Sequence, residues 1–467
     1  MAQTLKTSAT TAKVLKALGV FGGVQAVTII CSVIRTKLVA LWIGPAGVGL
    51  ITLYYSTIDF LSNTSQLNLR QSAVREISSG KTGRIISVTR KLALILGLAG
   101  LIAVAAASPL LSLFTFGNFA HTAAFAVLSL LMLLSSVASG EWAVMQGMEK
   151  LKALARSTLF ASITATTLAV PLFYFLRSGG IVPVLVVYAA ANCIYALIFR
   201  VKDKTPAISI KEAWHEGRGI LALGFYMTVS TGLTLLASYI FVIWLNNRSG
   251  EAAVGIYQAG YTLVNSYVGM IFTAIAMEYY PRLTTVASSR HRTEVLVSHE
   301  IKVAALLIMP VTALFIAAKT LIIDILYSSE FYDALAYVSL AIIGVGLRGA
   351  SWCMAYAILA RGDGKIYVLT ELSSAAAYLL LNIPLYHYYG YAGLGAAYIA
   401  WYAVYTAVCY AVYRVRYGLR LRRGIPALIL LSLAVGAAAW WLDSRAGIAA
   451  PAAIAIATGA LAYKKLR

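Results

Sequence analysis

The sequence predicts an all-α polytopic membrane protein of about fourteen transmembrane helices, arranged as two six-helix lobes in parallel repeat with an extra helix pair. Three observations carry this prediction. Apolar stretches of the roughly 20 residues needed to cross a hydrocarbon core recur along all 467 residues. Only 12% of residues are charged, where a soluble domain carries about 25%, and the mean hydropathy is +0.81. Lys and Arg cluster in alternate connections, the signature of cytoplasmic loops. A transmembrane β-barrel is excluded, because its strands alternate polar and apolar over about ten residues.

The predicted spans follow in order. The first covers about 14–34 and the second 46–69, separated by the turn Gly44-Pro45-Ala46-Gly47. Spans three and four, 92–113 and 120–140, enclose the turn that holds Phe119; spans five and six, 157–176 and 181–199, enclose Arg177. Spans seven and eight, 219–245 and 252–277, flank Arg248; nine and ten, 303–326 and 333–360, flank Phe331. Spans eleven and twelve cover 366–388 and 392–413, and the last pair, 425–442 and 447–463, encloses Arg445. Connections are short, and none could fold as a separate domain.

The basic residues fix the expected orientation. Lys6 to Lys16, Arg70 to Lys91, Lys150 to Arg156, Arg200 to Arg218, Arg282 to Lys302, Arg361 with Lys365, Arg414 to Arg423 and Lys464 to Arg467 all fall on one side. The other side holds only Arg177, Arg248 and Arg445. Both termini are therefore expected in the cytoplasm. This loop bias explains the net charge of +21 better than nucleic acid does, so no nucleic-acid partner is implied. The polar N-terminus and the length of the first apolar run argue against a cleavable signal. Cys31, Cys193, Cys353 and Cys409 lie in apolar runs without close spacing and read as core residues.

A weak internal repeat divides the chain. Pro45-Ala46-Gly47-Val48-Gly49 aligns with Glu251-Ala252-Ala253-Val254-Gly255 at an offset of 206 residues, and the same register pairs Tyr55 with Tyr261 and Asp59 with Asn265. Gln146 to Lys150 resembles Arg361 to Lys365, and Phe119 and Phe331 occupy matching turns. An offset of six spans preserves topology, which makes the halves parallel repeats about an axis along the membrane normal. The expected domains are 1–205, 206–418 and an added pair at 419–467.

Helical spacing then decides which polar residues share a face. Span two carries Tyr55, Asp59, Ser62 or Asn63, and Gln66; span eight carries Gln258, Tyr261, Thr262 and Asn265. Span eleven carries Glu371, Ser374, Tyr378 and Asn382; span one carries Gln25, Thr28, Ser32 and Arg35, and span ten places Arg348 near its middle. A single hydroxyl or amide of this kind is ordinarily interhelical glue, and Arg348 alone reads equally as half of a structural ion pair with Glu371. Four stripes with embedded charges, each costing about 2.5–3.5 kcal/mol at a helix centre, point to a polar cavity. Arg35 and Lys37 are about 200° apart, so periodicity sets Arg35 on the stripe and Lys37 nearly opposite; the turn just beyond them keeps both in the candidate set. Lys319 reads as a snorkelling residue.

Cavity arginines suit phosphate oxygens, because the guanidinium offers a planar fork of donors. Tyrosines are compatible with sugar stacking. No catalytic constellation, metal site, cofactor motif or nucleotide-binding loop is evident, and His121, His215, His291, His299 and His387 are dispersed. The chain reads as a transporter, not an enzyme.

Short motifs in a consistent order sharpen this. They are Ile43-Gly44-Pro45-Ala46-Gly47-Val48-Gly49-Leu50, Val254-Gly255-Ile256-Tyr257-Gln258, Tyr279-Tyr280-Pro281-Arg282-Leu283, Leu326-Tyr327 to Phe331, and Ala392-Gly393-Leu394-Gly395-Ala396-Ala397. Over roughly 14–415 the chain resembles the Wzx-type oligosaccharide flippases, O-antigen and enterobacterial common antigen (lipid III) types, of the multidrug/oligosaccharidyl-lipid/polysaccharide exporter superfamily. The resemblance implies two lobes around a cationic central cavity in the bacterial inner membrane. It implies alternating access that carries an undecaprenyl-diphosphate-linked glycan from the cytoplasmic to the periplasmic leaflet, with a polysaccharide polymerase and a chain-length regulator as possible partners. Arg35, Lys37 and Arg348 would then meet the diphosphate. Tyr55, Asn63, Gln258, Tyr261 and Asn265 would meet sugar, and Asp59 and Glu371 are the acids available for coupling. Lys37 stands where common-antigen flippases carry a lysine, Arg35 where peptidoglycan-precursor flippases carry an arginine, and Arg348 replaces a common-antigen-type lysine. Asn265 stands where that type carries an aspartate, which leaves Asp59, its repeat mate, as the substitute. The alternatives are a cation-coupled small-molecule exporter of the same superfamily, which would favour acidic cavity residues, and a polysaccharide polymerase, which would favour a large periplasmic loop.

Overall fold

The computed structural model describes residues 23–24, 26–78, 83–202, 206–267 and 269–466, and these are helices joined by short turns, with no strand among them. They group into two compact units, 1–254 and 255–467. Among the described residues seven helical stretches are long and apolar enough to cross a membrane, and a bent pair, Arg218–Val229 with Thr231–Ser266, makes an eighth. Two of the seven hold two predicted spans each: Leu151–Ile198 is interrupted at Arg177–Gly180, and Gly364–Arg416 at Gly390.

In the first unit, helix α1 (26–42) ends at a turn in which Gly44 has φ +76°, and α2 (Gly44–Gln66) starts with Pro45 in its first turn. Proline is suited there, since its missing N–H would be unpaired anyway. The carbonyl of Trp42, orphaned at the end of α1, accepts from Arg177 Nη1 at 3.0 Å. Span two was expected to run to residue 69, but α2 stops at Gln66 because Leu67 and Asn68 turn left-handed, with φ 49° and 46°. That turn is held from outside: Asn68 Nδ2 donates to Thr231 Oγ1 at 3.1 Å, and Gly224 leaves no Cβ where the Leu67 carbonyl comes close.

The basic stretch after it is not a bare loop. It forms α3 (Leu69–Ser78), which buries Leu69, Ala73 and Ile77. Then come α4 (Gly83–Phe116), α5 (Thr122–Leu128) and α6 (Leu130–Gly147). Helices α3, α4 and α6 share one core of Ile77, Ile86, Leu92, Ala93 and Val144. The approach is close because Gly140 faces Ala93, Gly147 faces Ile77, and Ser136 Oγ donates to the Ala93 carbonyl at 2.7 Å. Small residues and hydroxyls are the usual means of helix association in lipid. Arg90 Nε and Glu141 Oε1 pair at 2.8 Å with little exposure, and Arg90 also donates to the Val201 carbonyl. Burial of either charge alone would be strongly unfavourable.

Helices α7 (Leu151–Leu176) and α8 (Ile181–Ile198) pack through Ala161, Ala165 and Ala191. A short helix that the sequence reading passed over, α9 (Ile210–Glu216), opens on a reciprocal cap between Ser209 and Glu212. Helix α10 (Arg218–Tyr261) breaks at Gly250, φ +82°.

In the second unit a π-helical segment, Thr262–Tyr267, precedes α11 (Gly269–Val286). Then follow α12 (Arg290–Leu326), α13 (Ala334–Ala341), α14 (Val345–Ala360), α15 (Gly364–Ala411, broken at Gly390), α16 (Ile425–Ala446) and α17 (Ala449–Leu466). Lys319 of α12 does not snorkel. It forms a 2.6 Å ion pair with Asp443 of α16, both largely buried. The α11–α14 contact includes Tyr279, whose hydroxyl donates to the Cys353 carbonyl at 2.7 Å.

Some backbone devices recur with the sequence repeat. Gly44 and Gly250, 206 residues apart, both have positive φ, as do Glu149 and Gly362, and Arg177 and Gly390. Phe119 and Phe331 do not match in environment: the first is exposed and the second fully buried.

Candidate functional site

Helix α2 places its polar stripe because Tyr55, Asp59, Asn63 and Gln66 recur at three- or four-residue intervals. In the first unit this stripe lines a cavity of about 410 Å³ together with Ser135, Ser139 and Trp142 of α6 and Tyr188 and Asn192 of α8. Gln66 Nε2 donates to Ser135 Oγ at 2.9 Å, and Asn63 Oδ1 accepts from Thr231 at 3.2 Å. Asn192 donates through Nδ2 to the Tyr188 carbonyl at 3.0 Å, which leaves its Oδ1 turned to no described group. Arg70, at the edge of the same cavity, lies over the Trp142 ring at 5.2 Å and donates to Gln146.

A second cavity, of about 270 Å³, adjoins it through Tyr55 and Tyr188, which line both. Its charged residue is Arg35, joined by Ser32, Thr36, Val184 and Leu185. The guanidinium lies over the Tyr188 ring at 4.9 Å, and Nη1 donates to Thr166 Oγ1 at 2.6 Å. One of its five N–H donors is thereby used, and the guanidinium rests against an aromatic wall. Lys37 is half-buried and lines neither cavity, as the 200° separation from Arg35 leads one to expect. Gln25, the first member of the span-one stripe, lies outside the described residues.

In the second unit Arg348 donates through Nη1 to Asn265 Oδ1 at 3.1 Å and lies 5.2 Å over the Phe272 ring. Tyr398 donates to the same Oδ1 at 3.3 Å. Gly269 packs beside the guanidinium, where a Cβ would lie 3.4 Å from Nη2, an ordinary contact. Asn265 Nδ2 is buried without a partner among the described residues, an arrangement that costs about 1–3 kcal/mol when nothing satisfies it. Asn265 sits in the π-helical segment, so the simple α-helical register from Gln258 through Asn265 is interrupted. Tyr261 lies within electrostatic reach of Arg348, whereas Gln258 Nε2 donates to Thr262 at 3.2 Å.

The suggested pairing of Arg348 with Glu371 is not made. Glu371 Oε1 accepts from Tyr405 at 2.5 Å. The rest of its stripe serves packing, since Ser374 accepts from Trp401, Tyr378 meets Tyr257 and Asn382 donates to the Tyr378 carbonyl.

Thus Tyr55, Asp59 and Asn63 come together with Arg35 next door, and Arg348, Asn265 and Tyr261 come together in the other unit. Sequence reasoning missed Thr166, Tyr188, Asn192, Ser139 and Trp142. The spacing of Ser135, Ser139 and Trp142, and of Tyr188 and Asn192, was a stripe signal that could have found the last four. Among the described residues no group of His, Cys, Asp or Glu is arranged to hold a metal ion.

Comparison with known proteins bears on the family and the fold. A family profile for polysaccharide biosynthesis proteins matches residues 38–336. The chain belongs to that family. A lipid III flippase of Escherichia coli K12 is 24% identical over 400 residues, which cover 81% of this chain and 92% of the relative. The Shigella flexneri lipid III flippase matches equally. Among solved structures, the lipid II flippase MurJ in an inward closed conformation superposes with TM-score 0.67 at 15% identity, covering 96% of this chain and 99% of the other. An inward-facing MATE multidrug resistance transporter of the MOP superfamily gives TM-score 0.69 at 14% identity, covering 86% and 95%. The family member therefore shares the fold of these two solved structures, and the resemblance drawn from its short motifs is borne out.

Proposed function

We propose that this family member is a flippase for an undecaprenyl-diphosphate-linked oligosaccharide of the O-antigen or lipid III class. It would move the glycan from the cytoplasmic to the periplasmic leaflet of the bacterial inner membrane by alternating access, with both termini in the cytoplasm. The observation that carries the reading is Arg35, a fixed guanidinium in a cavity that adjoins one lined by amides, hydroxyls and tyrosines. A diphosphate needs its charge compensated in lipid and a glycan needs hydrogen-bonding groups, and these two cavities offer one of each. In the second unit Arg348, beside the Asn265 amide that has no partner among the described residues, is a separate candidate for contact with the diphosphate.

Asp59 lines the larger cavity with no partner among the described residues and is the acid proposed for coupling. One charge crossing 100 mV is worth about 2.3 kcal/mol. Glu371 is tied to Tyr405 and is the weaker coupling candidate. Names of the relatives support the substrate class, and handover to a polymerase and chain-length regulator would follow on the periplasmic side.

The test is leaflet-resolved detection of lipid-linked glycan in cells with and without the protein. Accumulation on the cytoplasmic leaflet without it is expected. Glycolipid already exposed on the periplasmic side in its absence would overturn the proposal, and would leave a small-molecule exporter or a polymerase as the reading to pursue.

A further inference from the structure

The two adjoining cavities differ in chemistry, and resting on the flippase reading we propose that they divide the substrate: the smaller takes the diphosphate at Arg35, and the larger is a subsite for uncharged sugars, read by Asp59, Ser139 and Asn192. The smaller cavity has one charged group, Arg35, most of whose donors have no partner among the described residues. The larger has one cation, Arg70, at its edge, and the Asp59 carboxylate lines the same cavity to offset its charge. Arg70 donates to Gln146 at 3.4 Å and lies over the Trp142 ring.

What the larger cavity offers is a set of hydrogen-bonding groups without partners among the described residues: the Asp59 carboxylate, the Ser139 hydroxyl and Asn192 Oδ1. A carboxylate and an amide oxygen accept from sugar hydroxyls or an N-acetyl N–H, and a hydroxyl both donates and accepts. The same Asp59 carboxylate repels phosphate and acidic sugars. Tyr55 and Tyr188 form the shared wall, so a substrate lying across them places its charged head on one side and its first sugars on the other. Tyr188 is a positioning residue here: its ring carries the Arg35 guanidinium and its carbonyl fixes the Asn192 amide.

The experiment uses the full chain in lipid nanodiscs and measures binding of three probes: undecaprenyl diphosphate alone, the same lipid bearing one N-acetylhexosamine, and the same lipid bearing one hexuronic acid. Wild type should bind the N-acetylhexosamine lipid more tightly than either other probe. A Ser139→Ala/Asn192→Ala double variant should bind it about thirtyfold more weakly, the loss expected for two ordinary hydrogen bonds, and bind the bare lipid as wild type does. Retained binding of the bare lipid also shows that the variant is folded. Arg35→Ala should weaken all three probes. Equal weakening of bare and sugar-bearing lipid by the double variant, or no weakening, overturns the division, as does a wild-type preference for the hexuronic acid lipid. Failure of wild type to bind any probe overturns the flippase reading itself.

Discussion

Arg35 shows how much a single side chain depends on its neighbours. An exposed arginine on a membrane helix would be drawn to the interface; this one is held by Thr166 and the Tyr188 ring. Arg35→Ala should reduce glycolipid translocation by about 10–100-fold, the equivalent of a charge-assisted hydrogen bond or somewhat more. Arg35→Lys should recover only part of that, since an ammonium lacks the planar fork. Lys37→Ala should have a smaller effect than either, because Lys37 lines neither cavity. Leaflet-resolved flipping at matched expression measures all three. Arg348 invites a different test. Asn265→Asp would place a carboxylate against its guanidinium, where Asn265 Oδ1 now accepts at 3.1 Å. Thermal stability should hold or rise while translocation falls, because the cation is neutralised internally; unimpaired translocation would argue against a role for Arg348 in binding.

At the scale of elements, the connections carry the strain. Gly250 has φ +82° and ψ 174°, and a Cβ there would meet nothing within 4 Å. Gly250→Ala should therefore destabilise through backbone conformation alone, by about 1–3 kcal/mol, read as a lowered melting temperature in detergent. The Lys319–Asp443 pair joins α12 to α16. Lys319→Ala should cost about 3–5 kcal/mol, the usual penalty for orphaning a buried charge, and the double change Lys319→Met/Asp443→Leu should recover most of it.

Helix α9 is held by an exposed pair instead. The Arg84 guanidinium beside Glu216 holds that carboxyl below its ordinary 4.5, and hydrogen bonds from Ser209 do the same for Glu212. A depressed carboxyl contributes stability above its unfolded value and loses it as pH falls through the lower, folded one. Loosening of α9 is thus expected only below about pH 4.5, with no change between pH 6 and 8. Trp214 within α9, retained as the sole tryptophan, would report it by fluorescence.

At the scale of the whole molecule, the class was legible because the bilayer imposes one strong rule: long apolar runs must be helical to satisfy their own backbone groups. The repeat was legible too, since Tyr55, Asp59 and the turn glycines are placed by local helix spacing. The sites were legible only in part. Periodicity found the α2 stripe, but it treated span eight as a regular α-helix, and the Thr262–Tyr267 π-helical segment alters the face on which Asn265 lies. It also had no way to choose between cavity and glue for the Glu371 stripe, which the structure spends on packing against Trp401, Tyr257 and Tyr405.

The sequence by itself determined the membrane class and the positions of the principal turns, because these follow from hydropathy and backbone sterics within a few residues, while the short helices α3 and α9 emerged only in the structure. Only the tertiary structure decided which polar residues share a cavity. Tyr188 and Thr166 are separated from Arg35 by more than a hundred residues of chain, and no local rule relates them. Packing of α7 and α8 brings them to Arg35, and so turns an isolated charge into a site.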